Sequence, residues 1–180
     1  MLSRPRRFLA LLAVPALVLA ASPANAQAPA KKAAPKKTAA AKPLPPIFDP
    51  DAVGTKAVEA GVNAANESAR RIFIVFGTND CAPCRVVNRA MHAEQFYDAL
   101  ARQFTPIMID VTPGSRNLPI LSRFGIDPAK GLPAVVVFDR KFQPVSITKN
   151  GEMVKLAAEG DAKVQEWFLQ FFEKDKPAAQ

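Results

Sequence analysis

Ile72-Phe73-Ile74-Val75-Phe76 is an unbroken run of large β-branched and aromatic residues, with no polar side chain to turn toward water. A strand wet on one face alternates apolar and polar residues, whereas an unbroken run marks a strand covered on both faces. A chain built around such a strand needs a layer on each side of its sheet. Immediately downstream come Gly77-Thr78-Asn79-Asp80, a loop by composition, and then both cysteines of the chain, as Cys81-Ala82-Pro83-Cys84.

The surrounding sequence supplies the layers. Asp49-Pro50-Asp51 is expected to open a helix whose apolar side holds Val53, Ala57, Val58 and Val62, closed by residues 66–71. A helical stretch starts at Cys81 and runs through Val86, Val87 and Met91, and a second covers about 93–103 with Phe96, Tyr97, Leu100 and Phe104 at helical spacing. Residues 106–111 read as another buried strand, and 118–124 as a short helix that Gly125 can stop. Residues 134–138 read as a strand, 139–143 as a turn and 145–148 as its partner. Asp161 is expected to cap a last helix carrying Val164, Trp167, Phe168, Phe171 and Phe172. Strands alternating with helices imply parallel pairing, and the final hairpin adds antiparallel pairing. The fold class is α/β, with helices on both faces of a central mixed sheet.

The 180 residues exceed what one such domain needs, and the ends differ from the middle. Arg4, Arg6 and Arg7 lead into an apolar run over 8–21, followed by Ala24-Asn25-Ala26, a small-x-small cleavage pattern. Residues 1–26 therefore read as a signal peptide rather than a membrane span. The run is short of the roughly 20 residues a bilayer requires, and Pro15 interrupts it. Residues 27–46 are almost all Ala, Pro and Lys, too poor in apolar surface to offset ordering entropy, and are expected to form a disordered, solvated linker. The arginines of the leader and Lys31, Lys32, Lys36, Lys37 and Lys42 account for the whole net charge of +8. The chain beyond the linker is formally neutral and shows no basic cluster, which excludes nucleic acid as the main ligand.

Cys81 and Cys84 carry the chemistry. Residues three apart on a helix share a face, with Cβ atoms roughly 5–6 Å apart, close to disulfide geometry. Cys81 at the helix start meets unpaired backbone N–H groups and the positive end of the dipole. These lower a thiol pKa from about 8.5 and supply nucleophilic thiolate. Cys84, a turn further in, suits the resolving role, and Pro83 falls in the first turn, where its missing N–H costs little. As a structural staple the pair is badly placed. So short a loop is worth roughly 2 kcal/mol, against about 4.7 for a loop of about 100 residues. A structural zinc site wants about four ligands, and His92 is the only histidine. Inert core thiols fit poorly with the proline and the polar loop. Elsewhere, His92 reads as a cap or surface residue, Trp167 as core and Asp110 as loop-forming.

With these residues the chain resembles the thioredoxin superfamily over roughly 70–172. Phe73-Ile74-Val75-Phe76 with Cys81-Ala82-Pro83-Cys84-Arg85 resembles its first core strand and active-site helix. Gly131-Leu132-Pro133-Ala134-Val135-Val136-Val137-Phe138-Asp139 resembles its Gly-hydrophobic-Pro turn into a strand. The resemblance implies a thioredoxin-like three-layer domain over 47–180 and a cis Leu132-Pro133 bond beside Cys81 that docks client backbone. The bland alternative is a trans proline that merely starts a strand. More narrowly, the segment is similar to exported thioredoxin-like proteins of bacterial envelopes. The similarity lies in the helix break at His92-Ala93-Glu94, in Ile109-Asp110-Val111, in Phe124-Gly125-Ile126 and in Asn150-Gly151-Glu152 before the last helix. Two positions depart from thioredoxin: Asp80 stands where it has an aromatic residue, and Val75 where it has a buried acid. Glu94, Asp80 or water would have to take over the acid's proton transfer.

The expected function is that of a periplasmic thiol-disulfide oxidoreductase acting on disulfides and thiols of exported proteins. No metal or organic cofactor is implied, and the family resemblance implies electrons from a membrane thiol-disulfide carrier. Asp80 as a like charge beside Cys81, and no cation between the cysteines, both disfavour the thiolate and point to a reductase. Alternatively Asp80 caps the helix. The competing function is a redox-inactive scaffold that keeps the fold without turnover.

Overall fold

The computed structural model describes residues 45–172. The signal-peptide reading of 1–26, residues 27–44 of the expected linker 27–46 and the last residues of the expected domain, 173–180, lie outside the described residues. Helix α1 (Gly54–Glu67) is followed by strand β1 (Arg71–Gly77), α2 (Ala82–Met91), α3 (Glu94–Gln103), β2 (Phe104–Asp110) and α4 (Leu118–Arg123). After a 3₁₀ turn at Pro128–Lys130 come β3 (Ala134–Phe138), β4 (Pro144–Ile147), α5 (Glu152–Glu159) and α6 (Asp161–Leu169). The sheet order is β2-β1-β3-β4.

All of β1 is buried, as the apolar run requires. Its alternate residues point into two separate cores. Phe73 and Val75 pack with Val87, Leu100, Met153, Val164 and Phe168 from α2, α3, α5 and α6. Ile72, Ile74 and Phe76 pack with Ala65, Ile109, Ile120 and Leu121, on the face covered by α1 and α4. The three-layer architecture follows from this division. Edge strand β2 carries Pro106, exposed where a missing donor costs least.

β1 and β2 are parallel, as expected for strands joined through helices, but β3 runs antiparallel to β1. The reason is length. Six-residue α4 spans about 9 Å, whereas seven-residue β1 spans roughly 23 Å. The chain therefore never travels back along the sheet after β2. It stays at the end where β1 finishes and enters β3 there, with Ala134 opposite Phe76. This places the start of β3 beside the start of α2. β4 pairs antiparallel with β3, and Thr148 extends the pairing: its N–H donates to Val135 O (2.9 Å) and its hydroxyl accepts from Val135 N–H (2.6 Å).

Several boundaries differ from the sequence expectation. Asp49-Pro50-Asp51 forms a turn, with Asp51 N–H donating to Asp49 Oδ1, and α1 begins only at Gly54. There a distant side chain sets the start, since Asn117 Oδ1 accepts from Gly54 N–H at 2.8 Å. Asp161 does not cap α6; Gly160 holds the N-cap position, and Asp161 pairs with Arg89 of α2. The expected last helix is α6, which ends at Leu169, ahead of Phe171 and Phe172; a further helix, α5, precedes it across Gly160 (φ 107°), and its signal was Met153, Leu156 and Ala157 at helical spacing.

Gly151 and Gly131 lock α5 to the loop before β3. Gly151 has φ 75°, and a Cβ there would stand 2.6 Å from Lys130 O. Gly131 has φ 114° and would meet Val154 Cγ2 at 2.8 Å. Gly151→Ala therefore adds left-handed strain and a clash with backbone. It is expected to lower stability by about 1–3 kcal/mol in urea unfolding; a variant as stable as the parent would show that the loop gives way freely.

Candidate active site

β1 ends on Gly77, and the turn Thr78-Asn79-Asp80 carries the chain over the end of the sheet to Cys81. Cys81 is the N-cap of α2: its backbone is extended, and its sulfur accepts from Cys84 N–H at 3.1 Å. The sulfur thus fills the place a serine or aspartate oxygen takes at most helix starts. The cysteines are bridged, with Cα atoms 5.2 Å apart. Cys81 is half-buried, whereas Cys84 is 2% exposed. Pro83 lies in the first turn of α2.

The Leu132-Pro133 bond is cis, as the resemblance implied. Leu132 O lies 3.3 Å from Cys81 Sγ, and Pro133 is buried. In the bridged form that sulfur has no proton, so the approach is a contact; a reduced Cys81 thiol would donate there. Two opposed influences therefore meet at one sulfur. The Cys84 N–H and the α2 dipole favour a thiolate, and the Leu132 carbonyl favours the thiol.

Asp80 is exposed, and its carboxylate accepts from Thr78 Oγ1. That hydrogen bond, helped by the residue's own backbone N–H, holds its carboxyl below the usual carboxylate range, so Asp80 stays anionic. Because Cys81 itself is the N-cap, the reading of Asp80 as the cap does not hold. Val75 lies in the same core cluster as Cys84, and among the described residues no hydrogen bond or ion pair joins a carboxylate to either cysteine. Glu94 is exposed at the start of α3. His92 is the C-cap of α2, with Nδ1 2.8 Å from Asn88 O and its ring stacked on Tyr97. Asp110 is the buried last residue of β2, and its carboxylate holds the loop that follows by accepting from Thr112 N–H and hydroxyl. Trp167 packs edge-on against Phe168 and Phe171.

Sequence reasoning missed the segment that leads into the domain. Asn79 Oδ1 accepts from the N–H groups of Ile47 (2.7 Å) and Phe48 (3.0 Å), and its Nδ2 donates to Phe48 O (2.8 Å). Arg85 Nη2 donates to Asn79 O at 2.6 Å, and Nη1 reaches Pro45 O at 3.5 Å. This strap seats the Phe48 ring, 1% exposed, in the core cluster that also holds Cys84. The available signal was a lone phenylalanine next to a Pro-rich stretch, which carries no period.

A bridged cysteine pair at the start of a helix, just past the end of a buried strand, is the working part of thiol-disulfide oxidoreductases, and the chain is of that class. A family model described as thioredoxin-like matches residues 54–140. Among solved structures, the disulphide isomerase from Xylella fastidiosa Temecula1 is similar at 27% identity and a TM-score of 0.65. That match covers 72% of this chain and 99% of the other. The DsbD C-terminal domain from Neisseria meningitidis, in its oxidised form, matches at 20% identity and a TM-score of 0.48, over 70% of this chain and 98% of the other. No curated protein matches the sequence. The domain is thioredoxin-like in fold, and in sequence over the residues that the family model matches.

Gly77 is where strap, strand and disulfide converge. A Cβ there would stand 2.4 Å from Phe48 Cζ and 2.9 Å from Cys84 Sγ. Gly77→Ala is expected to destabilise the protein by about 1–3 kcal/mol through overpacking. Thermal and urea unfolding measure this, and an unperturbed midpoint would mean the strap lifts away without cost.

Proposed function

We propose that this protein acts in the bacterial envelope as a thiol-disulfide oxidoreductase that reduces disulfides of exported proteins. In this reading Cys81 is the attacking sulfur and Cys84 the resolving one. The observation that carries it is the asymmetry of the pair: Cys81 caps α2 and receives the Cys84 N–H, whereas Cys84 is buried beneath it. The Cys81 thiolate attacks a client disulfide, one client sulfur leaves as a thiolate, and a mixed disulfide forms. Cys84 then gives up its proton and attacks Cys81 Sγ, releasing the second client thiol and leaving the Cys81–Cys84 bridge. A membrane thiol-disulfide carrier returns the two electrons. The pair is the only redox group this requires.

Leu132 and Pro133 border Cys81 and present backbone to an extended client segment. The anionic Asp80 and the Leu132 carbonyl both disfavour the thiolate, and Pro83 places no cation between the cysteines. A less stabilised reduced form makes a more reducing pair, which supports the reductase direction. The leader over 1–26 supports export. Among the described residues no helix is long and apolar enough to cross a membrane.

Similarity to a structure named as a disulphide isomerase favours a second reading, in which Cys81 attack reshuffles client disulfides with no net electron transfer. Recovery of a scrambled disulfide protein without added reductant would select it over the reductase reading.

Cys84→Ser, expressed in its natural compartment, is expected to accumulate mixed disulfides with envelope proteins on a chain that starts at Gln27. Cys81→Ser is expected to trap none. Equal trapping by the two variants would refute the assignment, and no trapping by either would favour a scaffold. Asp80→Asn removes the charge and retains a polar side chain. It is expected to raise the reduction potential on the order of 10 mV, less so at high salt. A lowered or unchanged potential in glutathione titration would remove Asp80 from the tuning of the pair.

A further inference from the structure

Cys84 is the sulfur that disulfide exchange leaves inside the protein, and its wall is apolar. Val75 from β1, Val87 from α2 and the Phe48 ring share its core cluster. Ring and sulfur close over the same bare Cα of Gly77. Asn79 holds the ring's backbone on both sides of its amide, and Arg85 holds Asn79 and Pro45 in turn. Charged groups on the surrounding elements make other contacts: Arg85, next to Cys84, donates to Asn79 O, and Lys163 pairs with Glu166. Asp80 is bound by Thr78, and Asp49 by the Asp51 N–H. Arg89 and Asp161 pair with each other, and Glu152 accepts from Asn150 N–H and is drawn to Lys155.

We propose that Phe48 is a positioning residue for Cys84: its ring keeps water from the resolving sulfur, holds it as a thiol and so prolongs the mixed disulfide formed on Cys81. The proposal rests on the roles assigned to the two cysteines above. A thiol in apolar surroundings ionises reluctantly because its thiolate loses hydration and gains no partner. Where thioredoxin has a buried acid to take up the proton, this chain has Val75, and the Phe48 ring and the same sulfur close on one side of Gly77. Resolution then waits for water to reach Cys84, and in that interval the bound client can attack its own mixed disulfide or meet a second thiol.

The two steps separate when the reduced full-length protein reacts with dithiobis-nitrobenzoate. Cys81 attack releases one nitrothiobenzoate and leaves the other bridged to Cys81. Cys84 loses its proton to buffer, attacks Cys81 Sγ and releases the second. Phe48→Ala is expected to speed the second release roughly threefold. A tenfold gain in thiolate fraction is partly offset by weaker nucleophilicity, with a Brønsted coefficient of about 0.4–0.5. The first release should change less than twofold, and the gain in the second should shrink as pH rises. Phe48→Leu, which keeps an apolar wall, should behave like the parent. If Phe48→Ala fails to fold, Asn79→Ala, which frees the strap but keeps the ring, is read the same way. A second release that is unchanged, or that moves by the same factor as the first, overturns the proposal. If the parent protein gives neither release, the oxidoreductase reading fails and the proposal with it.

Discussion

β1 has no face turned to water, and the rest of the molecule can be read as the means of covering it. Its odd and even residues require separate apolar partners, so the chain must place helices on both sides of the sheet. It does so with α2, α3, α5 and α6 against Phe73 and Val75, and α1 and α4 against Ile72, Ile74 and Phe76. A strand enclosed in this way is rigid and reaches solvent only at its ends. The segment after its last residue is therefore presented from a fixed platform. Gly77 and the adjoining turn place the cysteine pair on that platform.

The site balances two demands on sulfur. The exchange proposed for it needs one thiolate that is available and one thiol held back. The helix start supplies the first through the Cys84 N–H and the α2 dipole, tempered by the Leu132 carbonyl. The core supplies the second by enclosing Cys84. A single turn of helix separates these environments. The difference between the two cysteines thus comes from depth along one element, not from a dedicated acid or base.

The features legible in the sequence were those that depend on neighbours in the chain. The apolar run of β1, the cysteines opening α2, the break at His92 and the glycine after α4 are local signals, and they mark these elements to within a residue or two. The Leu132-Pro133 turn was legible through resemblance. Features set by distant partners were not. The start of α1 depends on Asn117, the direction of β3 on the shortness of α4, and the seat of Phe48 on Asn79, some thirty positions away. Asp80 was read as a charge beside the sulfur or as the cap of the helix; the sulfur itself does the capping, and Thr78 Oγ1 donates to the Asp80 carboxylate.

Because α4 is too short to run the length of the sheet, the turn before α2 and the turn before β3 crowd at one end. The opposite end is left with structural duties alone. There Arg70 donates to Ala101 O, Arg71 to Gln103 and Arg140 to Ala69 O, so that arginines tie down loops that hold no cysteine. Changes around the Asp139–Gln143 turn therefore fall at the rim away from the cysteine pair. The same partition gives an engineer a handle for surface attachment, a strand's length from the reactive pair.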